Sequence, residues 1–206
     1  MTDAEDAARH AARHRAKMAK RKALQDARLA ERTDEKGLLM VHTGPGKGKS
    51  TAAFGLLLRA VGHGMRVGVV QYVKGAWSTG ETVALERFAD LVDRRTMGEG
   101  FTWETQDRDR DVAAARAAWE VSRQMMADPR YGLVILDELN IVLRYGYLPI
   151  EEVLAGLSAR REGLHVLVTG RNAPKDLIEA ADLVTEMTLV KHPFQAGIKA
   201  QRGIEF

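Results

Sequence analysis

An α/β fold is predicted for this chain, a mostly parallel sheet flanked by helices and preceded by an N-terminal helical arm. Three observations predict it. Short apolar runs alternate with segments of helical period, a glycine- and lysine-rich turn joins the first run to the first such segment, and residues 1–36 share neither pattern. Strands separated by helices imply right-handed crossovers and parallel pairing.

The elements follow in order. Leu38 to Val41 form an apolar run, and Phe54, Leu57, Leu58 and Val61 recur at helical spacing after the turn. Val67–Val73 is a second strand, followed by a helix around Thr82–Phe88. A long helix runs from about Asp109 to Ala127 on a stripe of Val112, Ala115, Trp119 and Met126, and Pro129 ends it. Leu133–Leu136 is continuously aliphatic, which marks a buried strand. Pro149 opens a further helix with Glu151 and Glu152 in its first turn and Arg160 and Arg161 in its last, matching the helix dipole. Leu164–Val168 and Leu183–Val190 read as the remaining strands.

Composition narrows the class. At 206 residues one core is sufficient, and no apolar run approaches the ~20 residues that cross a bilayer. The N-terminus lacks the apolar stretch of a signal peptide, and there is no cysteine, so disulfides, thiolate metal sites and cysteine-ligated clusters are excluded. A cytoplasmic location is expected. Any electrons the reaction needs must come from another molecule.

The net charge of +3 is uneven. Residues 1–36 carry ten Lys/Arg and seven Asp/Glu, leaving 21 of each for the rest. Between Arg9 and Leu24 there are basic residues and no acid, spaced by alanines of high helix propensity. The plain reading is a solvated helical arm, 1–36, ahead of a P-loop domain, 37–206. No aromatic interleaves the basic cluster, so nucleic acid is not the expected partner.

Gly44-Pro45-Gly46-Lys47-Gly48-Lys49-Ser50 carries the chemistry. A strand, a glycine turn and a helix in that order make a phosphate cradle, because backbone N–H groups converge and the helix N-terminus adds partial positive charge. Lys49 would reach phosphate oxygens, and the Ser50 hydroxyl would bind Mg²⁺. The usual spacing wants a glycine five places before Gly48, where Thr43 stands. The loop is therefore tighter and more basic than usual, and ordinary γ-phosphoryl transfer is not assured.

Asp137-Glu138 directly follows Leu133-Val134-Ile135-Leu136, the position of a Walker B acid beside magnesium. Glu138 would equally suit an ATPase as the group that positions water. Val168-Thr169-Gly170-Arg171 puts an arginine past another strand, at the edge where doubly wound sheets bind ligands. A surface arginine would sit there as readily. Arg59 reads as a surface or packing residue unless the fold turns it inward, and His42 as a satisfied core or rim histidine. Phe101 and Trp103, two apart in a glycine-flanked stretch, would face the core if in a strand, or form a flat apolar wall if in a loop. A RecA-like P-loop NTPase fold is expected.

These residues resemble the P-loop type of ATP:corrinoid adenosyltransferases over essentially the whole chain. The resemblance rests on Thr43 through Thr51, Arg59-Ala60-Val61-Gly62-His63-Gly64, Gly100 through Gln106, Leu136-Asp137-Glu138-Leu139, Thr169-Gly170-Arg171, Val190 through Phe194, and Gly197 through Gln201. Pro45 and Ser50 stand where many members carry Asn and Thr. Ser50 keeps the hydroxyl, while Pro45 removes one N–H from the cradle.

The resemblance implies transfer of the 5′-deoxyadenosyl group of ATP to the Co(I) centre of a corrinoid, forming a Co–C bond and releasing triphosphate, in adenosylcobalamin biosynthesis or salvage. It implies ATP contacts from Gly44, Pro45, Gly46, Lys47, Gly48, Lys49, Ser50, Thr51, Arg59 and Arg171, and Mg²⁺ (or Mn²⁺) on Ser50 with Asp137 or Glu138. Lys49, Phe101, Trp103 and Arg171 would serve catalysis, the two aromatics by crowding out the lower cobalt ligand. It further implies a homodimer, an external flavoprotein reductant, and a use for the arm in closing the site. The competing readings are a nucleic-acid-stimulated RecA-like ATPase and a nucleotide-dependent binding module.

Overall fold

The computed structural model describes residues 3–73, 80–98 and 107–205. The chain divides into two compact units, Met1–Glu35 and Lys36–Phe206. The first is a single 28-residue helix, α1 (Asp3–Ala30). Its side chains from Asp6 onward are exposed except for partly covered Met18, and Lys22 pairs with Asp26 one turn on, at 2.6 Å. Alanine-rich propensity and such i,i+4 pairs sustain it without a buried stripe.

The second unit is built on six strands: β1 (Leu39–Thr43), β2 (Arg66–Gln71), β3 (Val92–Thr96), β4 (Tyr131–Asp137), β5 (His165–Thr169) and β6 (Leu183–Glu186). Their order is β3-β2-β4-β5-β1-β6, and every pairing is parallel. The helices are α2 (Lys49–Gly62), α3 (Gly80–Leu85), α4 (Arg108–Ala127), α5 (Leu139–Arg144), α6 (Ile150–Ser158) and α7 (Lys175–Ala180). This is the RecA-like P-loop class of architecture anticipated from the alternating pattern.

Strand periodicity divides the core. Leu133 and Ile135 of β4 join Phe54, Leu57 and Val61 of α2 on one face, while Val134 and Leu136 join Trp119 and Met126 of α4 on the other. With both faces covered, the central strands can be aliphatic throughout, which is why they were legible as continuous runs.

The ends differ from expectation in physically simple ways. β3 is a polar edge strand in which only Val92 is buried, so it carries no apolar signal. β6 stops at Glu186 rather than Val190: its ladder bonds end with the Met187 N–H on the Thr43 carbonyl at 2.9 Å, and the Met187 carbonyl then accepts from the Gly46 N–H of the turn at 2.7 Å. α6 ends at Ser158, before the two arginines assigned to its last turn. Arg160 instead bonds the Leu157 carbonyl at 2.7 Å and that of Gly37 at 2.9 Å. α4 starts one residue early, capped by the Asp107 carboxylate accepting from the Arg110 N–H at 3.1 Å.

Candidate functional site

Four strands end in a buried polar residue: Thr43, Gln71, Asp137 and Thr169. An unpaired polar group there would cost about 1–3 kcal/mol, so such residues persist only where they are satisfied. The Thr43 hydroxyl accepts the Ala173 N–H at 3.0 Å, and the other three satisfy one another. Asp137, 1% exposed, accepts from the Ser50 and Thr169 hydroxyls on one oxygen, each at 2.8 Å, and from the Gln71 amide on the other at 3.2 Å. Thr169 also accepts the Glu138 N–H at 2.9 Å. Arg94 and Thr96 of the edge strand donate to Gln71 Oε1 at 3.1 and 3.2 Å. One hydrogen-bonded chain thus ties β3, β2, β4 and β5 to the start of α2.

The glycine turn has two sides. On its outer side, a Cβ on Gly44 would lie 2.5 Å from the Met187 carbonyl oxygen, and one on Gly46 would lie 2.5 Å from that of Thr188. Those two glycines are therefore demanded by the chain leaving β6. Gly48 has open space around it but φ of 104°, so backbone conformation alone demands it. Gly48 places Lys49 and Ser50 at the N-terminus of α2, which has no side-chain cap and so keeps N–H groups for an anion.

On the inner side the turn opens into a cleft of about 560 Å³, lined by Gly46 through Thr51, by Glu138, Thr169, Gly170 and Arg171, and by Ile204 and Glu205 of the C-terminal segment. Lys49 Nζ donates to the carbonyls of Gly44, at 2.8 Å, and Gly46. Its pKa is lowered chiefly by burial and then by the Arg171 charge, with Glu138 opposing. An anion entering the cleft would offset both effects by stabilising the charged ammonium, as suits a site for negative charge. His42, buried in β1, has Nδ1 3.4 Å from the Lys49 carbonyl, an arrangement that supports the turn.

The expected site residues are only partly gathered. Gly46, Lys47, Gly48, Lys49, Ser50, Thr51, Glu138 and Arg171 share the cleft, with Asp137 beneath Ser50. Gly44 is buried behind it and Pro45 is exposed outside it. Arg59 lies in the last turn of α2 and lines a separate apolar cleft with Leu38, Met40 and His63, because a helix continuing from the turn carries its later residues away from it. Phe101 and Trp103, and the whole Gly100–Gln106 motif, lie outside the described residues. Sequence reasoning missed Gln71 and Glu205. A polar residue closing the aliphatic strand Val67–Val70 was the available signal for Gln71; nothing local flagged Glu205.

Ser50 and Asp137 supply a hydroxyl and a carboxylate oxygen in mutual contact, with Glu138 beside them, which fits a hard divalent cation completed by phosphate and water. Among the described residues, no three His, Cys, Asp or Glu side chains form a metal cage, and the donor set is of the substrate-assisted kind. An equally large crevice between α4 and α6 is mainly apolar and has no strand end or glycine turn in its lining.

Comparison with known proteins identifies the family. The family described as "ATP:corrinoid adenosyltransferase BtuR/CobO/CobP" matches residues 35–206, and that described as "Cob(I)alamin adenosyltransferase N terminal" matches residues 1–29. A corrinoid adenosyltransferase of Pseudomonas aeruginosa is 60% identical over 194 residues, 94% of this chain and 96% of that one. Corrinoid adenosyltransferase CobA of Salmonella typhimurium is 50% identical over 181 residues, 88% of this chain and 91% of that one. Among solved structures, domain III of the Thermotoga maritima replication initiation protein DnaA aligns loosely, with a TM-score of 0.35 at 13% identity over 83% of this chain and 61% of that one. The chain belongs to the ATP:corrinoid adenosyltransferase family.

Proposed function

We propose that the protein transfers the 5′-deoxyadenosyl group of ATP to the Co(I) centre of a corrinoid, in adenosylcobalamin biosynthesis or salvage. The observation that carries this reading is a shortened, doubly basic glycine turn above an intact Ser50–Asp137 pair, in a chain 60% identical to a corrinoid adenosyltransferase. Co(I) supplies the electron pair to C5′, the C5′–oxygen bond breaks, and that oxygen leaves with the intact triphosphate. The nucleophile is the substrate cobalt, so no side-chain base is required. The cleft has two tasks: to align cobalt, C5′ and leaving oxygen, and to receive the charge gathering on triphosphate.

The roles follow from position. Lys49 would exchange its two loop carbonyls for phosphate oxygens. Lys47, Arg171 and the α2 N-terminus would neutralise the rest. Mg²⁺ (or Mn²⁺) held by Ser50 with Asp137 or Glu138 would supply further charge neutralisation on the triphosphate. Gln71 and Thr169 would fix the Asp137 carboxylate in place for that role through their hydrogen bonds to it. We further assign residues 1–36 as an arm and 37–206 as the catalytic domain, and expect a cytoplasmic homodimer served by an external flavoprotein reductant. Among the described residues, no helix is long and apolar enough to cross a membrane.

Phe101 and Trp103 are assigned, from the family resemblance, to displacing the lower cobalt ligand so that Co(II) is more easily reduced. Trp103→Ala should slow the reaction from Co(II) by tenfold or more, on the order of a lost apolar contact at the reacting centre, and spare assays supplied with preformed Co(I). Equal losses in both would remove that role. The reaction itself is tested by mixing the protein with ATP and chemically reduced corrinoid: a light-sensitive cobalt–carbon bond is expected, and an unaltered cobalt spectrum would refute the assignment.

A further inference from the structure

The C-terminal segment meets the glycine turn at both of its ends. It leaves β6 with the Met187 carbonyl bound to the Gly46 N–H, and it returns with Ile204 and Glu205 in the lining of the cleft. There the Glu205 carboxylate pairs with Lys47 Nζ. Glu205 is the more covered partner, 16% exposed against 48% for Lys47. Residues 201–205 are held by their own turn, in which the Glu205 N–H bonds the Gln201 carbonyl at 2.9 Å.

This pairing is out of place for a structural ion pair. Lys47 sits within the cradle, and its position beside Lys49 and Arg171 is suited to a polyphosphate oxygen. A carboxylate already on it presents the negative charge that the cleft is built to receive. It also opposes a second anion, because like charges a few ångströms apart in a partly desolvated cleft repel strongly. Bound triphosphate and the Glu205–Lys47 pair therefore compete for one cation.

We propose that the C-terminal strap is an intramolecular competitor for the polyphosphate site: the Glu205 carboxylate occupies Lys47 when the cleft holds no nucleotide, is displaced when triphosphate enters, and by returning speeds its release. The proposal rests on the reading of this cleft as the site of the ATP phosphates. It gives the strap a use in the step that follows chemistry, since triphosphate is a polyanion that this cleft would otherwise hold tightly. A binding-competent fraction reduced by the closed strap lowers the apparent affinity by that same fraction.

The test is a calorimetric titration of inorganic tripolyphosphate, with no corrinoid present, into four full-length proteins: wild type, Glu205→Gln, Lys47→Ala, and the double variant. Glu205→Gln keeps the shape of the side chain and removes its charge. It should bind tripolyphosphate about two- to fivefold more tightly, the range of a part-exposed ion pair. Lys47→Ala should bind more weakly, and in its background Glu205→Gln should add less than it does in wild type, since only direct repulsion by the carboxylate remains. Stopped flow should divide this gain between faster association and slower release of tripolyphosphate in Glu205→Gln.

Unchanged or weaker binding by Glu205→Gln overturns the proposal, as does a gain of equal size in Lys47→Ala. Glu205→Ala should tighten binding as well, so a fault peculiar to the glutamine variant is recognised. Failure of the adenosyl-transfer reading would look different: tripolyphosphate would bind and respond to Glu205 as stated, while no cobalt–carbon bond formed. Absence of tripolyphosphate binding in all the proteins would refute the phosphate site on which both rest.

Discussion

The two ends of the same parallel sheet are both polar, yet they are polar in different ways. At the amino ends, the polar groups are part-exposed ion pairs. Arg66 meets Asp93 at 3.2 Å with side chains 26% and 29% exposed, and Asp182 joins Lys36 while accepting the Leu39 N–H at 2.8 Å. At the carboxyl ends, Thr43, Gln71, Asp137 and Thr169 are buried, and the last three bond one another or Ser50. Exposed pairs stitch strand ends together at little net gain, whereas buried polar groups have to be satisfied completely. A network assembled at such expense, beneath a helix N-terminus, marks where the sheet handles a ligand.

Substitutions at the two ends should separate these roles, most sharply at Lys49. Lys49→Ala should reduce the rate of adenosyl transfer by about 10²–10³-fold, as for removal of one preorganised donor to a developing anion, with a melting temperature close to wild type. Steady-state kinetics beside a thermal melt will show it. A large loss of stability with normal turnover of the folded fraction would break the comparison.

Asp137→Ala should act on both properties. It strands the Ser50 and Thr169 hydroxyls and the Gln71 amide, costing about 1–3 kcal/mol in urea unfolding. It should also lower activity by about 10²-fold and raise the magnesium concentration needed for half-maximal rate. Unaltered metal dependence would leave Asp137 a purely structural residue.

The turn's two kinds of glycine give a finer contrast. Gly46→Ala must push back the Thr188 carbonyl and should cost about 1–3 kcal/mol, like other overpacked sites. Gly48→Ala meets no atom and bears only left-handed backbone strain, about 1–2 kcal/mol. Gly46→Ala should further loosen the C-terminal segment, seen as faster amide exchange from Met187 onward, and Gly48→Ala should not.

How much of this was legible in the sequence follows the same division. Aliphatic runs such as Leu133–Leu136 declare buried strands, and a glycine–lysine turn after one declares a phosphate cradle, because burial and backbone chemistry leave marks on neighbouring residues. β3 left none, being held by backbone pairing with β2 rather than by apolar side chains. Arg59 is eligible for the site by motif, and the direction of α2 sets it in a second, apolar cleft, a placement no local pattern shows. The partnership of Lys47 with Glu205 spans 158 positions, and no local pattern encodes a contact of that separation. The glycines at 44 and 46 are expected in the cradle from the motif alone, but the sequence gives no sign that the chain leaving β6 also requires them.

The smallest effect belongs to the amino ends. Asp182→Asn should cost no more than about 1 kcal/mol and leave adenosyl transfer unchanged. The carboxyl of Asp182 is held below its ordinary range by its bond to Lys36 first and by the Leu39 N–H second. Its pKa is therefore lower folded than unfolded, so its contribution is present above the unfolded value and is lost as pH falls through the folded one. The difference between wild type and Asp182→Asn in urea should shrink accordingly in acid, and a difference that grew would contradict the assigned cause.

The central claim concerns which bond of ATP breaks, and phosphorus NMR of the products made from ATP and chemically reduced corrinoid reads this most directly. Intact tripolyphosphate, formed in step with alkylated cobalt, is the predicted result. Orthophosphate and ADP, with cobalt left unalkylated, would contradict it.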